Sequence, residues 1–155
     1  MRKLAVISLL LISFQWAHAQ LKSWSFNDLD SLQGVEQRDI MIFMKAEWCK
    51  FCKVMENKVF QEKEVSDMLN ESFWVVIFDG ESNEQVRFRG KTYSFLPTGN
   101  NTGVHEFAVY LADSSGKVSY PTLAVISLEE GIIFRYHSFL NKRQMLELGK
   151  HLTTQ

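Results

Sequence analysis

Residues 40–44 (Ile-Met-Ile-Phe-Met) and 73–78 (Phe-Trp-Val-Val-Ile-Phe) are continuous apolar runs without polar alternation, the pattern of strands covered on both faces of a sheet. Between them Val54, Met55, Val59, Phe60, Val65, Met68 and Leu69 recur at spacings near three and four, with glutamates and lysines between, which predicts a helix. Strand, helix, strand in this order predicts a parallel crossover, right-handed as such connections are. Upstream, 24–37 opens with a short aromatic piece, taken as a short strand, and continues as a helix that Asn27 or Asp28 can cap. Downstream, 85–88 and 92–95 alternate around Arg89-Gly90-Lys91 as a β-hairpin does. The polar run 98–103 is a loop by composition, and 104–112 has a helical pattern. The chain ends with strands at 122–128 and 132–136, joined at Glu129-Glu130-Gly131, and an amphipathic helix over 142–152. This order predicts one α/β domain over 20–155.

The first 19 residues break the pattern. Met1-Arg2-Lys3 is basic, 4–16 is almost wholly apolar, and Ala17-His18-Ala19 puts small residues where a signal peptidase reads them, so 1–19 is expected to be a cleaved export signal. An uncleaved membrane anchor is the alternative, although the run falls short of the roughly 20 apolar residues of a span. Cleavage after Ala19 would lower Lys plus Arg from 17 to 15 against 18 acids, a formal charge of −3. There is no basic stripe, so neither nucleic acid nor an anionic membrane surface is indicated as a partner.

Export leads to compartments where disulfides persist, yet the chain has only two cysteines, Cys49 and Cys52. A bridge between them closes too short a loop to restrain the unfolded chain much, so a redox role explains the pair better than a stabilising one. A zinc site would need four ligands, and His105, His137 and His151 supply no second close pair. No metal or other cofactor is expected. Lying between a strand and a helix, Cys49 would meet the unpaired N–H groups and positive dipole of a first helical turn. Lys50 adds a neighbouring charge, and both favour the thiolate. Cys52, one turn further in, is placed to resolve a mixed disulfide.

The segment Ala46-Glu47-Trp48-Cys49-Lys50-Phe51-Cys52-Lys53 resembles the active-site segment of the thioredoxin superfamily. Its continuation, 54–60 with Val65, Leu69 and Asn70, is similar to the exported branch that includes the C-terminal domain of DsbD. The resemblance implies a thioredoxin fold, a central mixed β-sheet flanked by helices, with a β-hairpin and loop insertion at about 81–117. It also implies that Tyr120-Pro121-Thr122 carries the family's cis-proline facing the dithiol, leaving the Tyr120 backbone free to pair with an extended substrate. The activity implied is thiol–disulfide exchange, in the reductive direction, on disulfide-containing proteins, with a membrane-bound reductant donor and a periplasmic location.

Thioredoxins proper keep a buried aspartate six residues before the first cysteine, paired with a lysine on the next strand; the corresponding positions here are Phe43 and Val75. Glu56, one turn after Cys52, matches a glutamate of the DsbD-like branch and is read either as a proton-transfer partner of Cys52 or as a solvent-facing helix residue. Trp48 is expected to shield the thiolate and offer a flat contact to substrates. His105, Phe88, Tyr93 and Phe95 either line a substrate surface or pack the insertion onto the sheet. A competing class is a thioredoxin-fold binding module for a peptide or partner protein, its dithiol serving as a sensor or handling metal.

Overall fold

The computed structural model describes residues 20–100, 102–112 and 114–154; the expected export signal lies outside them. Helix α1 (Phe26–Val35) begins behind Ser25, whose backbone N–H donates to Asp28 Oδ2 at 3.0 Å, so the N-cap is Ser25 and not Asn27 or Asp28. The aromatic piece before it is not a strand: it meets the sheet through a hydrogen bond from Trp24 N to Val75 O at 2.8 Å and through the Trp24 ring, edge-on to Trp74 at 5.8 Å. Strand β1 (Asp39–Lys45) follows, then α2 (Lys50–Val54), a π-helical turn (Met55–Val59), α3 (Lys63–Ser72) and β2 (Phe73–Asp79).

The single helix expected between β1 and β2 is thus broken. Phe60 and Val65 are five residues apart, and an unbroken helix would rotate Val65 about 140° away from Phe60. Widening to a π turn, where Phe60 N donates to Met55 O at 2.9 Å, and an extended Glu62 reset the phase. Cys52, Met55, Val59, Phe60, Val65 and Leu69 are then all buried in one core cluster.

The insertion contains two hairpins. In the first, β3 (Val86–Phe88) pairs with β4 (Lys91–Tyr93) across Arg89 and Gly90, both at positive φ (51° and 75°), the signature of a tight I′ turn. Arg89 tolerates this conformation while its guanidinium donates to Leu128 O at 2.7 Å, tying the hairpin to the end of the sheet. The second pairs β5 (Phe95–Pro97) with β6 (Gly103–His105), so the polar loop is the tip of a hairpin and α4 (Glu106–Leu111) starts two residues later than expected. Strands β7 (Thr122–Ser127) and β8 (Gly131–Tyr136) and helix α5 (Lys142–Thr153) complete the domain.

The four-stranded sheet has the order β2-β1-β7-β8, with β1 and β2 parallel and the other neighbours antiparallel, a mixed sheet as expected. Alternate residues of β1 enter opposite cores, which is why its sequence does not alternate. Met41 and Phe43 face the core under α2, α3 and α5, whereas Ile40, Ile42 and Met44 face the core under α1, α4 and the first hairpin.

Candidate active site

Strand register brings three chain segments to one end of the sheet. Lys45 is the last residue of β1 and pairs with Asp79 of β2, and Gly80 N donates to Lys45 O at 2.9 Å. On the other side Met44 pairs with Thr122, so Pro121 and Tyr120 lie just past the end of β1, beside the segment that leads to Cys49. The Tyr120–Pro121 peptide is cis.

Cys49 and Cys52 form a disulfide, with S–S 2.05 Å and Cα–Cα 5.2 Å. Cys49 is the N-cap of α2: its Sγ accepts from Cys52 N at 3.1 Å, and Lys53 N donates to its carbonyl at 3.2 Å. An amide donor aimed at this sulfur stabilises negative charge on it once the disulfide opens. Cys49 is 4% exposed and Cys52 0%, so Cys49 is the less buried of the two. Beneath them the core is apolar: Phe43 and Val75 are buried, and the Phe43 ring meets Phe60 edge-on at 4.9 Å.

Trp48 is 65% exposed, unusual for an indole; its Nε1–H donates to Glu81 Oε1 and Oε2 at 3.0 and 3.1 Å and its ring meets Tyr120 edge-on at 5.6 Å. Burial, reinforced by the negative charges of Glu81 and Asp79, pushes the Tyr120 phenol well above its ordinary range, so it is a neutral hydroxyl at physiological pH. Two open clefts flank Trp48. One, of about 410 Å³, is lined by Glu47, Trp48, Asp79 and Glu81; the other, of about 450 Å³, lies between β6 and the 118–120 segment. Across the disulfide, Phe51 and Val54 are also exposed, and Phe51 leans on Phe139 at 5.8 Å. The dithiol therefore has exposed apolar side chains beside it, Trp48, Phe51 and Val54, with the carboxylates of Glu47, Asp79 and Glu81 around the indole. Lys50 is exposed on α2 and forms no ion pair among the described residues.

Glu56 is neither free in solvent nor joined to Cys52 by a hydrogen bond: its carboxylate meets Lys45 Nζ at 2.8 Å, both side chains being partly buried. His105, Phe88 and Tyr93 line no substrate surface. His105 Nδ1 accepts from Phe107 N at 3.0 Å, so its Nε2 carries the proton and donates to Glu84 O at 2.9 Å, and the buried ring fixes the start of the insertion. Phe88 and Tyr93 pack around Phe107 in the second core, and Phe95 packs under Gly103. Sequence reading missed Glu81, Lys45 and Phe139. Lys45 had a signal, as the charge that ends the apolar run of β1; Glu81 and Phe139 become visible only when the chain is folded. Among the described residues no group of three His, Cys, Asp or Glu is placed to hold a metal ion.

The profile of the thioredoxin-like domain family matches residues 26–153. Similar solved structures include a thioredoxin from Thermus thermophilus, 17% identical, covering 86% of this chain and 88% of that one with a TM-score of 0.59. A DsbH oxidoreductase is 15% identical over 90% and 89% of the two chains, TM-score 0.58. A disulphide isomerase from Xylella fastidiosa Temecula1 is 11% identical over 83% and 91%, TM-score 0.54. At these identities the likeness is one of fold. No curated protein matches the chain.

Proposed function

The chain belongs to the thioredoxin-like domain family, and on that footing we propose that it is an exported thiol–disulfide oxidoreductase that reduces disulfides in other proteins. The observation that carries this reading is the Cys49–Cys52 disulfide at the head of α2, with an amide donor on the outer sulfur and an exposed tryptophan beside it. The reductive direction is supported by the resemblance to the DsbD-like branch, and export to the periplasm by the basic, apolar and small-residue pattern of 1–19. Among the described residues no helix is long and apolar enough to cross a membrane.

In the reduced protein the Cys49 thiolate attacks one sulfur of a substrate disulfide. The substrate S–S bond breaks, a mixed disulfide forms, and the leaving thiolate takes a proton. Cys52 then loses its proton and attacks Cys49 Sγ, which regenerates the intramolecular disulfide and expels the second substrate thiol. Two electrons and two protons pass to the substrate. A dithiol donor, membrane-bound in this reading, restores the reduced form by the reverse exchange. Trp48 and the Tyr120 backbone hold the substrate segment, Pro121 limits access to the dithiol, Lys50 favours the thiolate, and Glu56 takes part in moving the Cys52 proton.

The test is trapping. Cys52→Ser protein should accumulate mixed disulfides with its substrates, each joined through Cys49 and visible as adducts by non-reducing mass spectrometry, whereas Cys49→Ser protein should accumulate none. Absence of adducts from Cys52→Ser, together with no reduction of a model disulfide by the wild type, would overturn the proposal in favour of a binding module.

A further inference from the structure

The cleft between the insertion and the cis-proline segment has two unlike parts. Val104 on β6, Val118, the Tyr120 ring and the exposed indole of Trp48 give it apolar surface, beside Gly103 and Ser119. The Glu81 carboxylate also lines it, fixed in place by Trp48 Nε1. Glu81 is shared with the neighbouring cleft, where Asp79 and Glu47 stand beside the same indole. None of these three carboxylates forms an ion pair among the described residues. A cleft that joins apolar side chains to a carboxylate without an ion-pair partner suits one chemistry: a long aliphatic side chain that carries a cation at its tip, its methylenes against the apolar groups and its charge at the carboxylate. Trp48 directly precedes Cys49, so the cleft adjoins the residue next to the reacting sulfur.

We propose that this cleft is a specificity subsite that takes a lysine or arginine flanking the cysteine of an extended substrate segment. Glu81 is the specificity-determining residue. The inference rests on the oxidoreductase reading above and deepens it by naming the substrate class. Part of the cleft is built by β6 of the insertion, so the added segment supplies selectivity to an otherwise general dithiol. Exposed charge pairs are individually weak. Discrimination comes from attraction of a basic residue added to repulsion of an acidic one.

The test uses three peptide disulfides, identical except for arginine, norleucine or glutamate next to the cysteine, and one small uncharged disulfide that does not reach the cleft. Each is reduced by pre-reduced wild type, Glu81→Gln and Glu81→Lys. Gln retains an acceptor for Trp48 and removes only the charge. In the wild type, kcat/KM for the arginine peptide should exceed that for the glutamate peptide by about tenfold at low salt. It should fall towards unity near 1 M salt, where the Debye length is about 3 Å. The ratio should collapse to about threefold or less in Glu81→Gln and invert in Glu81→Lys. Because each ratio is taken within one protein, a general loss of activity or stability does not produce it. A wild-type ratio within about twofold, or a ratio unchanged in Glu81→Gln, overturns the subsite. If the small disulfide is still reduced in that case, the oxidoreductase reading stands. Failure to reduce any of the four disulfides overturns both.

Discussion

Gly80 offers a direct probe of how the rim of the dithiol is assembled. It is buried at the end of β2, its N–H donating to Lys45 O at 2.9 Å and its carbonyl accepting from His105 N at 2.8 Å; an alanine keeps both bonds. The obstacle is space: a Cβ there would lie 2.5 Å from Tyr120 Oη and 2.6 Å from Tyr120 Cε1. Contact distances for carbon are about 3.5–4.0 Å, so the ring must retreat by about 1 Å. Overpacking of this kind costs about 1–3 kcal/mol, and the open cleft that the ring lines favours the low end, about 1–1.5 kcal/mol. Replacing glycine by alanine regains about 0.4–1 kcal/mol through the unfolded chain. The net loss of about 0.5 kcal/mol lowers Tm by only about 1–3 °C. A double-mutant cycle with Tyr120→Ala separates the terms: Gly80→Ala should be stabilising once the ring is gone, with a coupling energy of about 1–1.5 kcal/mol from thermal unfolding of the oxidised protein. The displaced ring also enters the cleft, so peptide disulfides should lose about tenfold in kcat/KM while a small disulfide loses less. Effects that add within about 0.3 kcal/mol in the cycle would refute the placement of Tyr120 against Gly80.

Two further outcomes follow from charged groups near and far from the dithiol. If Glu56 moves the Cys52 proton, Glu56→Gln should slow the resolving step about tenfold at neutral pH, less than general-base catalysis usually gives because thiols ionise readily unaided, and should alter the pH profile of disulfide exchange. An unchanged profile removes Glu56 from the mechanism. At the other end of the sheet, burial and then the negative charge of Glu130 hold the Asp39 carboxyl above its ordinary range. The folded protein therefore binds that proton more tightly than the unfolded chain, and stability is lost as pH rises from the ordinary Asp value through the raised one. Asp39→Asn should raise the urea midpoint at pH 7 and leave it nearly unchanged near pH 3; equal midpoint shifts at both values would contradict this.

The elements around the site were legible because burial leaves a strong mark on sequence. Both faces of β1 and β2 are covered, so the apolar runs at 40–44 and 73–78 had no other economical reading, and the two cysteines between strand and helix pointed to the dithiol. Proline is rare in this chain, which made Pro121 conspicuous. The break after Phe60 was hidden because neither glycine nor proline marks it. It arises from a phase conflict between two buried faces, detectable only by following the rotation across the five-residue gap to Val65. The second hairpin was hidden for another reason. Three-residue strands ending in Pro97 and starting at Gly103 carry no alternation, and their pairing depends on the tertiary packing of Phe95 and His105.

The departure at Phe43 and Val75 takes on physical meaning in the folded protein. A carboxylate at position 43 would be wholly buried among Met41, Phe60 and Val75 with no cation opposite, a costly place for charge. This chain instead fills the space with an aromatic pair and carries its charges at the margin, Lys45 with Glu56 on one side and Glu47, Asp79 and Glu81 on the other. On the proposed mechanism a proton that leaves Cys52 passes to the rim, and the same rim meets the substrate. In such an arrangement the rate of resolution and the choice of substrate share charged groups close to the same solvent. Both should respond to ionic strength, whereas a proton acceptor sealed in the core would be screened far less by salt.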